Sequence, residues 1–171
     1  AAVARGAGGA AGPAADPDAT PGDASAEPDV LGFAEDADRF DDPPLDPEFD
    51  PTAPAREIAA AREQEEKFRR IAELDPDRRR DILVLREILE SDPDYEVRIE
   101  AAEQLAFSVR RAAVNALKGG LDDGDPRVVA AVIEGIEFTG GTADTAALVP
   151  LLNDPDPEVR RLAAEAIEFL E

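Results

Sequence analysis

Three carboxylates stand at alternate positions near the C-terminus, in the segment "NDPDPEVRRLAAEAIEF", and their spacing raises the question of chemistry. Asp154, Asp156 and Glu158 could act as an acid and base pair, could hold a metal ion, or could begin a helix. Glycoside hydrolysis needs two carboxylates at a set separation in a cleft, usually lined with aromatic side chains. The chain has seven Phe, one Tyr and no Trp, which disfavours such a cleft.

A helix start accounts for these residues more simply. Asp156 supplies an N-cap acceptor, Pro157 suits the first helical position, and Glu158 places a negative charge in the first turn. The same logic applies to Asp94 and Asp125, which precede similar helical patterns. We therefore predict that the acidic turns begin helices and do not catalyse a reaction.

Metal and nucleophile chemistry also lack the residues that they need. A calcium loop that starts at Asp123 would find ligands at Asp125 and Glu134, but Arg127 and Val128 occupy its fifth and sixth positions, where a ligand and a Gly are required. The chain contains no His and no Cys, so the commonest general base and the commonest zinc ligands are missing. The sequence predicts no catalytic residue, no metal site and no cofactor, and hence a protein that is not an enzyme.

Charge and hydropathy exclude two classes of partner. Asp and Glu number 40 against 18 Lys and Arg, and the net charge of -22 repels nucleic acid and anionic lipid. No apolar run approaches the roughly 18 residues that span a bilayer, so we expect no membrane insertion. The chain begins with Ala and lacks Met, which favours an exported protein, periplasmic or at the cell surface, after removal of a signal peptide; a trimmed chain would look the same.

Residues 1–53 form an acidic segment rich in Ala, Pro and Asp, without apolar periodicity. This composition predicts an extended, intrinsically disordered arm, because it buries too little surface to offset its ordering entropy. Apolar side chains are spaced through its second half, and we predict that they bind a partner protein as the arm orders. These residues are Val30, Leu31, Phe33, Phe40, Leu45 and Phe49. Two other interpretations stay open: a solvated linker with incidental apolar residues, and an arm that docks on its own domain.

Residues 54–171 consist mostly of helix formers and are predicted to be the folded domain. The stretch "PAREIAAAREQEEKFRRIAEL" carries a thin apolar stripe at helical spacing, which predicts one charged helix at the start of the domain. A second helix with a broader apolar face is predicted in "DPDRRRDILVLREILE".

A sequence repeat organises the rest of the chain. The segments "SDPDYEVRIEAAEQLAF", "DDGDPRVVAAVIEGIEF" and "NDPDPEVRRLAAEAIEF" match in register, with Val97, Val128 and Val159 at one shared position. Another helical pattern precedes each segment. The shared positions recur every 31 residues. A constant period of this length indicates a solenoid, in which helical hairpins must stack to bury their apolar faces.

The third repeat, with its leucine pair, Asp-rich turn and Val-Arg before an Ala-rich helix, resembles a HEAT repeat of the short type found in phycobilisome-lyase-like proteins. The resemblance covers roughly Ile82 to Leu170 as three repeats. It implies an all-α fold, a short right-handed α-solenoid of about three HEAT-like helical hairpins preceded by the arm, and protein binding as the main use. It also implies a hydrogen-bonded ladder of turn Asp and Arg side chains. Val129 would interrupt this ladder, because it stands at the position that Arg98 and Arg160 occupy in the other two repeats.

These features predict a non-enzymatic protein–protein interaction module, an adaptor or accessory subunit of a larger, multi-subunit protein assembly that binds through the arm and the solenoid face. The alternatives are a lyase-like or chromophore-handling chaperone subunit, and a self-assembling structural protein.

Two groups of side chains on the repeats have competing interpretations. Phe169 is predicted to bind a partner or to cover the end of the stack, and the equivalent positions of Phe107 and Phe138 favour packing between repeats for all three. The arginines of the second helices could form basic spots on the surface or pair with neighbouring carboxylates. They are Arg98, Arg127, Arg160 and Arg161.

Overall fold

The computed structural model of the chain describes residues 42–171 and contains α-helices and short 3-10 segments, with no β-strand in that range. The α-helices are α1 (Thr52–Ala59), α2 (Gln64–Ala72), α3 (Arg79–Ser91), α4 (Tyr95–Ala106), α5 (Arg111–Leu117), α6 (Pro126–Thr139), α7 (Thr145–Leu148) and α8 (Pro157–Leu170). The 3-10 segments are Lys118–Gly120, Thr142–Asp144 and Val149–Asn153. Of the helices in residues 42–171, none has the length and apolar character needed to cross a membrane.

The helices form hairpins that stack in two layers. In the layer of second helices, α2 packs against α4, α4 against α6, and α6 against α8. In the layer of first helices, α1 packs against α3 and α3 against α5. Each hairpin contacts chiefly its neighbours along the stack, as in a solenoid. This arrangement confirms the predicted all-α architecture.

The core is made of small and aliphatic side chains that recur at the interval of the sequence repeat. On α4, α6 and α8 the shared positions are buried, because they lie on the face that meets the neighbouring hairpins. These residues are Val97, Val128 and Val159; Ala101, Val132 and Ala163; and Leu105 and Ile136. Burial of a Val or Leu side chain stabilises a fold by about 1.5–3 kcal/mol. The repeat in the sequence is therefore a repeat of buried contacts.

The stretch predicted as one helix at the start of the domain folds as two. Helix α1 ends at Ala59 and α2 begins at Gln64, so residues 60–63 turn the chain. One continuous helix would have placed Glu65 in its apolar stripe. The turn instead leaves Glu65 exposed while Ile58 and Ile71 are both buried. The prediction of a single helix is wrong, and an additional hairpin precedes the three repeats.

A buried carboxylate connects the second hairpin to the third. The Asp144 side chain is fully buried and pairs with Arg111 Nη1 at 2.5 Å and Lys118 Nζ at 2.6 Å. It also accepts a hydrogen bond from the Gly141 backbone N–H at 3.0 Å. Burial alone would raise the pKa of Asp144, but these three donors outweigh it and hold the pKa at about 2. The junction between the hairpins therefore depends on an ionised carboxylate.

Candidate interaction surface

The turn edge of the stack is the edge where the first helix of each hairpin turns into the second, at residues 92–94, 121–125 and 154–156. Here each predicted cap is formed. Asp94 accepts a hydrogen bond from Glu96 N and Asp125 from Arg127 N, both at 3.0 Å, while Asp156 accepts from Glu158 N at 2.8 Å and from Val159 N at 3.3 Å. These bonds satisfy N–H groups that lack partners within the helix. The carboxylates begin helices, as predicted.

A second Asp in each turn binds the backbone as well. Asp92, Asp123 and Asp154 each accept a hydrogen bond from the N–H two residues later, at 2.9, 2.8 and 2.8 Å. The turns are therefore closed by their own side chains. Within residues 42–171, no three acidic side chains approach closely enough to hold a metal ion.

Arg98 links two successive turns. Its Nε and Nη2 donate to Asp123 Oδ2 and Oδ1 at 2.7 and 2.9 Å, while Nη1 donates to the Asp92 carbonyl at 2.8 Å. The hydrogen bonds to Asp123 raise the pKa of Arg98. Lys67 forms an earlier rung, with Nζ 3.5 Å from Asp92 Oδ1. Lys67 precedes Arg98 by one repeat, so the period of the sequence could have revealed the additional hairpin formed by α1 and α2.

The ladder stops at the third turn, as the family resemblance implied. Val129 occupies the ladder position in α6 and is buried, and among residues 42–171 no Lys or Arg pairs with the Asp154 carboxylate. Arg160 donates to the carbonyls of Asp154 and Pro155 at 2.7 and 2.9 Å. A groove of about 390 Å³ lies between the second and third turns, and Val129 and Asp154 are among its lining residues.

The exposed arginines of the second helices pair within the chain. Arg127 Nη2 lies 2.7 Å from Asp125 Oδ2, and its guanidinium carbon lies 3.5 Å from the centroid of the Tyr95 ring. The hydrogen bonds from Arg127 lower the pKa of Asp125 to about 2. Arg161 pairs with Glu158 and Glu165, both at 2.5 Å. The turn edge therefore presents groups that already have partners.

The loop edge is the opposite edge, where each second helix ends and the chain passes to the next hairpin. Phe107, Phe138 and Phe169 stand there at equivalent positions of the repeat, and they are 70%, 76% and 70% exposed. The prediction that they pack between repeats is wrong. Phe107 follows the buried Leu105 by two residues, which is roughly 200° around a helix. Its side chain therefore points away from the core, and the same offset separates Phe138 from Ile136.

An apolar groove of about 250 Å³ runs between two of these phenylalanines. Phe107 and Ala106 line it from the end of α4, while Ala131, Gly135 and Phe138 line it from α6. A Cβ on Gly135 would lie 3.2 Å from Leu117 Cδ1 and 3.3 Å from Ala106 Cβ, which is tighter than an ordinary contact. Glycine therefore allows the close approach of helices that shapes the floor of this groove.

Glutamates accompany the phenylalanines at the same interval. Glu103, Glu134 and Glu165 are exposed, and each lies about one helical turn before a phenylalanine. Residues 99–107, 128–139 and 162–171 contain no Lys or Arg. We name the surface formed by the three phenylalanines and these three glutamates the phenylalanine face. It combines exposed aromatic rings with negative charge.

The described end of the N-terminal arm lies at the same edge of the stack. The Asp42 carboxylate accepts a hydrogen bond from Arg79 N at 3.0 Å and pairs with Arg110, whose side chain is fully buried. Burial raises the pKa of Asp42, but the bonds from Arg110 and Arg79 outweigh it and lower the pKa overall. Arg79 and Arg110 both stand where the chain enters a first helix, so Asp42 is held at the loop edge.

The predicted partner-binding residues of the arm divide into two groups. Leu45 and Phe49 are half-buried. Phe49 packs against the core of the domain, with the guanidinium carbon of Arg80 4.8 Å from the centroid of its ring, and Leu45 lines a groove beside Arg79. Here the arm docks on the domain, one of the interpretations open from the sequence. The other predicted residues lie outside the described region. They are Val30, Leu31, Phe33 and Phe40.

Comparison with known proteins gives one match. The family model described as HEAT repeats matches residues 82–168, which covers the hairpins from α3 to α8. No curated protein matches the chain, and no solved structure does.

Proposed function

The chain belongs to the HEAT-repeat family, whose repeats generally mediate protein–protein interaction, and we propose that it binds a protein partner through the phenylalanine face. The observation that carries this proposal is the exposure of Phe107, Phe138 and Phe169 at equivalent positions of three successive repeats. Large aromatic side chains at the surface favour burial, and they dominate the energetics of many protein interfaces. The groove beside Phe107 offers a place for an apolar side chain of the partner.

The arm is proposed to supply a second contact to the same partner. Asp42 fixes the described end of the arm at the loop edge, which is the edge that also carries the phenylalanine face. Two weak contacts on one chain strengthen each other, because the first raises the effective concentration of the second. The anchors on this segment are Val30, Leu31, Phe33 and Phe40. An acidic arm that carries apolar anchors, joined to a folded binding face, suits an adaptor or accessory subunit of a larger protein assembly.

Affinity capture from the native cell tests this function. The bait is the full chain, and the test variant carries Phe107→Ser, Phe138→Ser and Phe169→Ser. The matched control carries Val149→Ser and Leu152→Ser, which remove exposed apolar side chains from a different part of the third hairpin. We expect a stoichiometric protein to be retained by the full chain and the control, and to be lost from the triple variant.

The contribution of the arm is measured in the same experiment. Removal of residues 1–41 leaves Asp42 and Phe49 on the domain, so the fold of residues 42–171 keeps these contacts. We expect this shortened chain to retain less partner than the full chain. Equal recovery would contradict a role for the arm, and equal recovery by the triple phenylalanine variant would contradict the proposed face.

A further inference from the structure

We propose that the phenylalanine face binds a cationic segment of its partner, one that carries Lys or Arg side chains between apolar anchors. This inference rests on the proposed function and specifies the chemistry of the occupant. Two features of the face support it independently of each other: its electrostatics and its exposed rings.

Carboxylates outnumber basic side chains along the phenylalanine face. Glu165 is paired with Arg161, whereas Glu103 and Glu134 have no salt-bridge partner among residues 42–171. Seven glutamates lie within residues 99–107, 128–139 and 162–171, and these stretches contain no Lys or Arg. They are Glu100, Glu103, Glu134, Glu137, Glu165, Glu168 and Glu171. The C-terminus of a helix adds a partial negative charge, and α4, α6 and α8 all end here. Charges of one sign, lined up beside an apolar groove, attract a segment of the opposite sign.

Glu100 and Glu103 lie about one helical turn apart on α4, where like charges repel each other. Burial raises the pKa of Glu100, and the neighbouring Glu103 raises it further. A cation placed between these two carboxylates would offset their mutual repulsion, because it interacts favourably with each charge. The face therefore favours positively charged groups over neutral ones.

The exposed rings suit the same occupant. Apolar side chains of the partner can bury against Phe107 and Phe138 and enter the groove between them. The faces of aromatic rings also attract ammonium and guanidinium groups. Within this chain Arg127 already lies over the Tyr95 ring, at 3.5 Å, and Arg80 over Phe49, at 4.8 Å. An Arg or Lys from a partner would make the same type of contact with the exposed phenylalanines.

Neither the arm of this chain nor a second copy has the required charge. Residues 1–41 contain nine carboxylates and two arginines. A second copy brings a net charge of -22. Like charges across an interface oppose binding, so the phenylalanine face selects against both. The occupant is accordingly a different protein with a basic, apolar-bearing segment.

A displayed library of random peptides provides a defined probe. Each peptide is long enough to form about four to five turns of α-helix. Selection uses the full chain, and counter-selection with the Phe107→Ser/Phe138→Ser variant removes peptides that bind elsewhere. We expect the enriched peptides to be net positive and to contain at least two large apolar side chains. Their affinity should fall as ionic strength rises, because salt screens exposed charges.

Two variants of equal net charge separate a specific effect from general attraction to an acidic protein. Glu103→Gln/Glu134→Gln changes the phenylalanine face, and Glu65→Gln/Glu73→Gln changes exposed glutamates on α2 and at its end. We expect the first pair of substitutions to lower the affinity for the selected peptides about five- to tenfold. The second pair should lower it less than about twofold.

The outcomes distinguish this inference from the proposed function. Peptides that depend on the phenylalanines but are neutral or acidic, and that tolerate Glu103→Gln/Glu134→Gln, would overturn the cationic occupant and leave the binding face intact. Peptides weakened equally by both glutamate pairs would overturn it too, because the attraction would then be nonspecific. If no enriched peptide depends on Phe107 or Phe138, the proposed binding face itself is wrong.

Discussion

The turn edge and the loop edge carry side chains repeated with the same period, yet they use the repetition in opposite ways. At the turn edge Asp94, Asp125 and Asp156 hold the backbone of their own helices, and Arg98 joins one turn to the next. At the loop edge the repeated phenylalanines project into solvent. Periodicity alone therefore does not separate residues that build the stack from residues that bind a partner. The two kinds of residue differ in what they contact: structural residues have partner groups within this chain, whereas binding residues do not.

The largest expected effect on stability is at Asp123, and it should exceed the effect at Asp154, the equivalent position in the next turn. Asp123→Asn removes the negative charge that holds Arg98, and the free energy of unfolding should fall by about 2–3 kcal/mol, because a largely buried guanidinium loses its charged partner. Asp154→Asn should cost less than about 1 kcal/mol, since the Asn oxygen can still accept the bond from Asp156 N. Urea unfolding of both variants measures the difference, and equal losses would contradict the broken ladder.

The pH dependence of stability tests how much a carboxylate with partners inside the chain contributes to the fold, in contrast to the exposed phenylalanines. The pKa of Asp144 lies at about 2 in the folded state against 3.8 for an unperturbed Asp. A lowered pKa stabilises the fold above the unfolded value, and this contribution disappears as the pH falls from about 4 to about 2. The expected magnitude is about 2 kcal/mol.

The Asp144→Asn variant isolates this contribution. Its deficit in unfolding free energy relative to the unsubstituted chain should be present at pH 6 and should shrink towards pH 2. Measurement of the difference cancels the titration of other carboxylates such as Asp125, whose pKa is also about 2. A deficit that does not change with pH would mean that the Asp144 charge contributes no stability.

Removal of a helix cap should have a smaller effect. Asp156→Ala loses the hydrogen bonds to Glu158 N and Val159 N and should destabilise the chain by about 1 kcal/mol. Thermal unfolding, with Asp156→Asn as a control that keeps an acceptor, provides the measurement. A loss from Asp156→Asn as large as that from Asp156→Ala would show that the charge and not the cap is responsible.

The smallest effect on stability is expected at the loop edge. Phe107→Ser and Phe138→Ser should each change the unfolding free energy by no more than about 0.5 kcal/mol, because exposed side chains contribute little to packing. The same substitutions should abolish partner capture. A loss of stability as large as that expected for Asp156→Ala would break the comparison, since the phenylalanines would then be structural.

The sequence predicted those features that depend on contacts close along the chain or on the repeat. Each cap lies within two or three residues of its donor, so Asp94, Asp125 and Asp156 could be assigned directly. The family resemblance implied the ladder, and the register of the repeat then placed Val129 at its break. Both predictions rest on local geometry that an α-helix repeats without change.

The features that were missed depend on how helices are placed in three dimensions. Residues 60–63 contain neither Gly nor Pro, so nothing local marks the turn, and only the burial of Ile58 and Ile71 on different helices explains it. The exposure of Phe107 could have been inferred from its offset from Leu105. The docking of Asp42 on Arg110 joins residues far apart in the chain, and no pattern in the sequence indicated that pair.

The break in the ladder at Val129 also affects how the stack opens. In a solenoid, the coupling between neighbouring hairpins determines where local unfolding begins. The third hairpin is joined to the second by Asp144 at one edge, but it has no Arg–Asp rung at the other. The C-terminal hairpin should therefore open as a separate unit, and its amide protons in α8 should exchange with solvent faster than those in α4.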